Sequence, residues 1–217
     1  PAEARSVLRA LSGDLAKADQ LWTPHRLNQT FEMVVSGIGK ANAAGAASRF
    51  ADPKRHRRLL SVGIAGALPR SGLEVGSTIA ATHCTFADEG VQTPSGFLDC
   101  DSMGFPLGDF PGAAVPVDAA LLNWLRPSAH VLGPIATVST CSGTDALAHE
   151  VQRRTGALAE AMEGGAINLI ARRLGIPGGE FRVISNTTGN RQSQQWDLPL
   201  ALARLSEVIG RLAVIES

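Results

Sequence analysis

The 217-residue chain lacks an excess of either charge, because twenty basic and twenty acidic side chains cancel. No basic stripe runs along it, which removes the electrostatic footprint expected of a nucleic-acid binder. It has no apolar run near the roughly 18 residues that a membrane span needs, and no secretory leader is expected. Cysteine is scarce: Cys84, Cys100 and Cys141 lie far apart, outside any CxxC or zinc spacing. Reduced thiols and a cytoplasmic setting are expected. His25, His56, His83, His130 and His149 make no HxH or HExxH pattern, so no metal, no cofactor and no histidine-based triad is expected. Internal repeats, low-complexity tracts and linkers are missing too.

What is present is an alternation of apolar strands and helices with 44% apolar residues, enough for a sizeable core. The length predicts one domain over 1–217. The chain starts at Pro1, and a domain of this kind is expected to open on a strand, so a first strand is expected before residue 1.

Helices are predicted over 4–18, 41–51, 118–126, 144–154, 164–174 and 197–215. The last shows Leu198, Ala201, Leu202, Leu205, Val208, Ile209 and Leu212 on one face. Strands are predicted over 31–38, 58–65, 77–86, 131–140, 157–162 and 180–185. Residues 90–116, with their prolines and glycines, read as one long loop. The pattern implies an α/β fold, a single-domain mixed β-sheet flanked by helices.

Two strand ends carry chemistry. Ala161-Met162-Glu163-Gly164-Gly165 puts a carboxylate where an apolar strand turns into a helix, and such a group is costly to bury unless it binds something. Phe181-Arg182-Val183-Ile184-Ser185-Asn186 ends another apolar strand on polar groups. In open α/β sheets ligands bind beyond the carboxyl ends of strands. One carboxylate can accept from both hydroxyls of a vicinal diol. An asparagine amide can donate to O6 and accept from a protonated N7 of a 6-oxopurine. Sugar at one end and base at the next is the layout of a nucleoside site.

Other motifs read two ways. Gly37-Ile38-Gly39-Lys40 and Gly63-Ile64-Ala65-Gly66 permit close approach to a ligand, and equally a plain tight turn. Arg182, inside an otherwise apolar strand, fits a functional role or an internal salt bridge. Ser185–Asn190 fits a base loop or an Asx-turn. Trp196 fits an aromatic wall or a staple onto Leu200. Cys141-Ser142-Gly143 has no nearby base and is discounted as a nucleophile.

Taken together, Gly37–Asn42, Ser61–Leu68, Phe86–Val91, Ser139–Leu147, Ala161–Gly165 and Arg182–Leu198 resemble the nucleoside phosphorylase/nucleosidase superfamily and, within it, the futalosine hydrolase family. The resemblance implies a phosphorylase/hydrolase-like three-layer αβα arrangement. It also implies hydrolysis of the N-glycosidic bond of futalosine to hypoxanthine and dehypoxanthine futalosine, in menaquinone biosynthesis. Glu163 is then expected on the ribose 2′- and 3′-hydroxyls, with Met162 against the sugar face. Glu3 is expected to activate water, with Arg182 holding it in place. Asn186 is expected at the base, Gly66 beside it and Trp196 on the 5′ side. Arg191 is nominated for the benzoate that futalosine carries there. A homo-oligomer, dimer or larger, is expected.

Three departures narrow the branch. Asn186 stands where adenine-specific members carry Asp, which turns the reading toward a 6-oxopurine. Ser61 and Ile64 stand where related phosphorylases bind phosphate, which favours water. Ala146, with Leu147 next to it, stands where nucleosidases stack an aromatic on the base. The rival expectations are a methylthioadenosine/S-adenosylhomocysteine nucleosidase and a non-catalytic nucleoside-binding protein.

Overall fold

The computed structural model describes residues 1–11 and 14–215. It opens on helix α1 (Ala2–Leu11), with Glu3 in the first turn, where the helix dipole favours negative charge. The helix expected over 4–18 therefore ends at Leu11; residues 12–13 lie outside the described residues, and Leu15–Asp19 form a 3₁₀ turn. Strands β1 (Pro24–Arg26) and β2 (Glu32–Val34) make a separate antiparallel hairpin. The strand expected over 31–38 is thus a short piece of a satellite ribbon, with Leu21 bridging Val35 beside it. Its apolar residues are half-buried on both faces, a pattern that names burial but no partner strand.

Helix α2 (Lys40–Phe50) leads to β3 (Leu59–Ala67) and β4 (Thr78–Phe86). The segment expected as one long loop instead holds a hairpin, β5 (Gly90–Thr93) with β6 (Gly96–Asp99), and an edge strand, β7 (Ala114–Pro116). Helix α3 (Ala119–Leu125) follows, capped by Asp118, whose Oδ1 accepts from the Leu121 N–H at 2.9 Å. Then come β8 (Val131–Thr137), α4 (Asp145–Thr155), β9 (Ala159–Ala161), α5 (Gly164–Leu174), β10 (Gly178–Thr187) and α6 (Leu198–Ile215).

The main sheet is mixed, in the order β10-β3-β9-β8-β4-β7. It also curls: β4 pairs antiparallel with β10 through Ile79↔Arg182 and its neighbours, so five strands close on themselves. Small inward side chains allow this, with Ala65, Ala67, Ala81, Ala159 and Ala161 packed around Ile79, Ile135 and Ile184. On one face α1, α3 and α6 bury Val7, Leu121, Leu125, Leu205, Val208 and Leu212 against Phe181 and Val183. The expected face of α6 is the buried one, except that Leu198 is 39% exposed and Leu202 is half-buried. On the other face α2 and α5 join through Ala43 and Ala166 against Phe86. Among the described residues no helix is long and apolar enough to cross a membrane.

Candidate active site

Strand β10 carries the polar groups at issue and is buried from Gly178 to Asn186. Arg182 is 2% exposed. Its Nε donates to Glu180 Oε1 at 2.8 Å, and its Nη2 donates to Ser61 Oγ at 2.8 Å and to Glu163 Oε2 at 3.3 Å. Burial alone would lower the pKa of this guanidinium. Glu180, then Glu163 and Glu3, outweigh that and hold it above its ordinary value. Arg182 thus makes the internal salt bridge and also reaches a second carboxylate: Glu180 grips it from below while Glu163 meets its outer edge.

Glu163 sits at the N-terminal boundary of α5, just past β9, and its side chain makes no capping bond. Its Oε1 accepts from the Gly39 N–H at 3.0 Å, so the Gly37–Lys40 turn presents a backbone donor to a carboxylate. Positive φ at Gly37 (93°) and Gly39 (88°) makes that presentation possible. Glu3 reaches the cluster from α1, accepting from the Ile64 N–H at 2.7 Å. At Gly63 the missing side chain leaves the room that the ends of Glu3 and Arg182 occupy. One guanidinium thus faces three carboxylates, and the surplus is anionic.

Four residues farther along β10, Asn186 is 7% exposed. Its Oδ1 accepts from Ser185 Oγ at 2.8 Å and its Nδ2 donates to the Thr187 carbonyl at 2.9 Å. A β-bulge at Ser185 brings Asn186 opposite Gly66 of β3. A Cβ on Gly66 would lie 3.2 Å from Asn186 Nδ2 and 3.7 Å from Glu160 Cγ. Among the described residues no hydrogen bond joins Asn186 directly to Glu163. The two ends connect through β9, which holds Glu160 near Asn186 and delivers Glu163 three residues later. The Cys141 thiol reports the same span. Burial raises its pKa most, Glu160 and then Glu163 raise it further, and Arg191 opposes them.

The segment after β10 folds back on it. Trp196 bridges Asn186, and the Asp197 N–H donates to the Ser185 carbonyl at 3.0 Å. Arg191 lies over the Trp196 ring, 4.7 Å from its centroid. Leu200, the partner in the alternative staple reading, packs over Gly76. Met162 and Leu147 are half-buried against a cluster containing Leu68, Val138 and Val151. Among the described residues no group of His, Cys, Asp and Glu could hold a metal ion.

Sequence reading passed over Glu160, Glu180 and Gln194, and met Ser142 only in a turn discounted as a nucleophile. Glu160 accepts from the Ser142 N–H at 2.7 Å and from its Oγ at 2.6 Å. The signal was available: Glu160 and Glu180 are carboxylates in strands as apolar as the stretch that singled out Glu163.

A family profile described as the phosphorylase superfamily matches residues 26–214. The chain belongs to the phosphorylase superfamily. Within that superfamily it is similar to a futalosine hydrolase of Acidothermus cellulolyticus, 39% identical over 86% of this chain and 77% of that protein. A futalosine hydrolase of Streptomyces coelicolor is 37% identical over 90% of this chain and 84% of that protein. The superfamily fold is matched by a solved 5′-methylthioadenosine/S-adenosylhomocysteine nucleosidase from Helicobacter pylori. Its TM-score is 0.74 at 16% identity, covering 99% of this chain and 94% of that one.

Proposed function

We propose that the protein is an N-glycosyl hydrolase that cleaves futalosine to hypoxanthine and dehypoxanthine futalosine, in menaquinone biosynthesis. The observation that carries the reading is the meeting of Glu3 and Arg182 over Gly63, with Glu163 on the same guanidinium and Asn186 farther along the strand of Arg182.

The N-glycosidic bond breaks ahead of attack, leaving a cationic, oxocarbenium-like sugar. Three carboxylates beside one buried guanidinium supply the opposite charge. Each Glu163 oxygen holds one protein donor, and an ionised carboxylate has about four acceptor positions, so both ribose hydroxyls can still be received. Asn186 keeps one N–H and one lone pair beyond its present bonds, matching O6 and the N7–H that the departing hypoxanthine gains from solvent as the bond breaks. Glu3 takes the proton from attacking water, with Arg182 holding that water in line. Met162 lines the sugar, and Gly66 lets the base lie close to the strand. Leu147 is assigned to the apolar wall near the base.

Water is favoured over phosphate because the groups at the phosphate-binding positions are engaged. Ser61 Oγ receives Arg182, and the Ile64 N–H is given to Glu3. Arg191 and Trp196 take the 5′ benzoate, one by charge and the other by its ring. The protein acts as a cytoplasmic homo-oligomer of one 1–217 domain. Exposed Ile38 and Phe105, 75% and 71% accessible, support self-association, and light scattering after gel filtration reads its size.

Incubation with futalosine, inosine and methylthioadenosine, with and without phosphate, tests the reading. Hypoxanthine released from futalosine at a rate indifferent to phosphate supports it. A rate that climbs with phosphate, or a preference for methylthioadenosine, overturns it.

A further inference from the structure

We propose that Glu160, Ser142 and Gln194 form a positioning relay that holds the Arg191–Trp196 pair in place, and so sets selectivity for nucleosides bearing a 5′ aryl carboxylate. The inference rests on the futalosine reading above and names residues that reading does not use.

The relay begins in the core. Glu160 is 5% exposed, and its oxygens are both spent on Ser142. A buried carboxylate without such partners would be costly, so Ser142 is held firmly. Ser142 is itself buried, and its carbonyl points the other way. That carbonyl accepts from Gln194 Nε2 at 3.1 Å and from the Gly189 N–H at 3.3 Å.

Gln194 is the junction. Its Nε2 gives one proton to the Ser142 carbonyl and the other to the Gly189 carbonyl at 2.9 Å. Its Oε1 accepts from Arg191 Nη1 and Trp196 Nε1, both at 3.0 Å. A primary amide offers two donors and two lone pairs, and all four are in use. Only one orientation of the amide satisfies this set, since carbonyls lie on one side and N–H groups on the other. The cation and the ring are therefore ordered before any ligand arrives.

That order matters because Arg191 and Trp196 are both exposed, and Trp196 is 48% accessible. An untethered arginine must surrender rotamer freedom to bind a carboxylate, whereas a tethered one has already done so. The segment itself does not depend on Gln194. Asp145 separately holds Asn190 through its N–H at 2.9 Å and its Nδ2 at 2.6 Å, and the Thr187 N–H donates to the Gln195 carbonyl at 3.1 Å. Losing Gln194 frees two side chains and leaves the backbone attached.

The test compares kcat and KM for futalosine and for inosine, which lacks the 5′ carboxylate, in the wild type and in Gln194→Leu, Ser142→Ala and Arg191→Ala. Gln194→Leu is expected to raise the futalosine KM about tenfold, leaving kcat on both substrates and the inosine KM within about twofold. Ser142→Ala keeps the backbone carbonyl and loses only the hydroxyl. It is expected to move the futalosine KM the same way by less, and carries the test if Gln194→Leu does not fold. If Arg191→Ala raises the futalosine KM while Gln194→Leu and Ser142→Ala do not, the relay fails and the substrate reading stands. A fall in kcat on both substrates alike makes Gln194 merely structural and also overturns the relay. A wild type whose KM is the same for futalosine and inosine overturns the substrate reading and the relay together.

Discussion

Glu3 and Arg182 meet over Gly63, a residue whose hydrogen lies where any β-carbon would overlap both the Glu3 carboxylate and the Arg182 guanidinium. The two side chains come from α1 and β10, far apart in the chain. Their encounter depends on a strand between them that carries nothing at this one position.

Gly63→Ala follows directly. Of the two groups it strikes, Arg182 is pinned but Glu3 is only half-buried and can retract, so the fold can yield at modest cost. The acid and its partner cannot stay in register. Loss of kcat by about 10²-fold is expected, with the thermal midpoint falling by only a few degrees. Activity within about twofold of wild type would show that Glu3 is not held there for chemistry.

Gly164→Ala is the contrasting case. Its β-carbon would overlap the carboxyl of Glu180, which is fully buried and held by Arg182 Nε at 2.8 Å and the Cys84 thiol at 2.9 Å. Nothing there can move cheaply. Destabilisation of about 1–3 kcal/mol or more is expected, as for an overpacked core, and urea denaturation measures it. A variant as stable as wild type would mean that the Glu180–Arg182 pair has slack.

Asn186→Asp exchanges a donor-and-acceptor for a carboxylate. The donation to O6 is lost, which predicts a fall of about tenfold to a hundredfold in kcat/KM on hypoxanthine nucleosides. Turnover of methylthioadenosine is expected to rise. Steady-state kinetics on inosine and methylthioadenosine read both changes, and an unaltered preference would remove Asn186 from base recognition.

Glu160 predicts a pH effect. Burial raises its carboxyl above the ordinary 4.5, and the two hydrogen bonds from Ser142 pull it partly back. The folded state therefore keeps this proton to higher pH than the unfolded chain does. Stability from the group is complete below the ordinary value and is lost as pH rises through the folded value. Glu160→Gln lacks that loss, so its stability relative to wild type should climb as pH rises above about 4.5. Denaturation curves across this range test it, and a flat difference would contradict it.

Much of this was legible beforehand because periodicity and burial share a cause. Helix α5 falls on the predicted 164–174, where an apolar run lies between two glycine stops. Glu163 was conspicuous as a charge amid that run. Glu160 and Glu180 are equally out of place, yet each sits inside a strand, where spacing does not tell which face or partner will receive it. Their meanings come from Ser142 and Arg182, contacts that exist only after the sheet has curled. The β5–β6 hairpin was hidden by its turn: Pro94 and Ser95 read as loop residues, and the strands on either side are only four residues long. The 31–38 segment shows the converse, an apolar run that pairs with β1 and never reaches the main sheet.

Because β10 is stitched to β3 along one side and to β4 along the other, the separation between its arginine and its asparagine is that of a braced beam. Such a strand cannot lengthen or slide to suit a different ligand. Divergence toward other nucleosides must then be written into the stretch beyond it, residues 188–197, where sequence can vary without disturbing the beam. An effort to redirect the protein to a new 5′ group has a short and well-bounded place to begin.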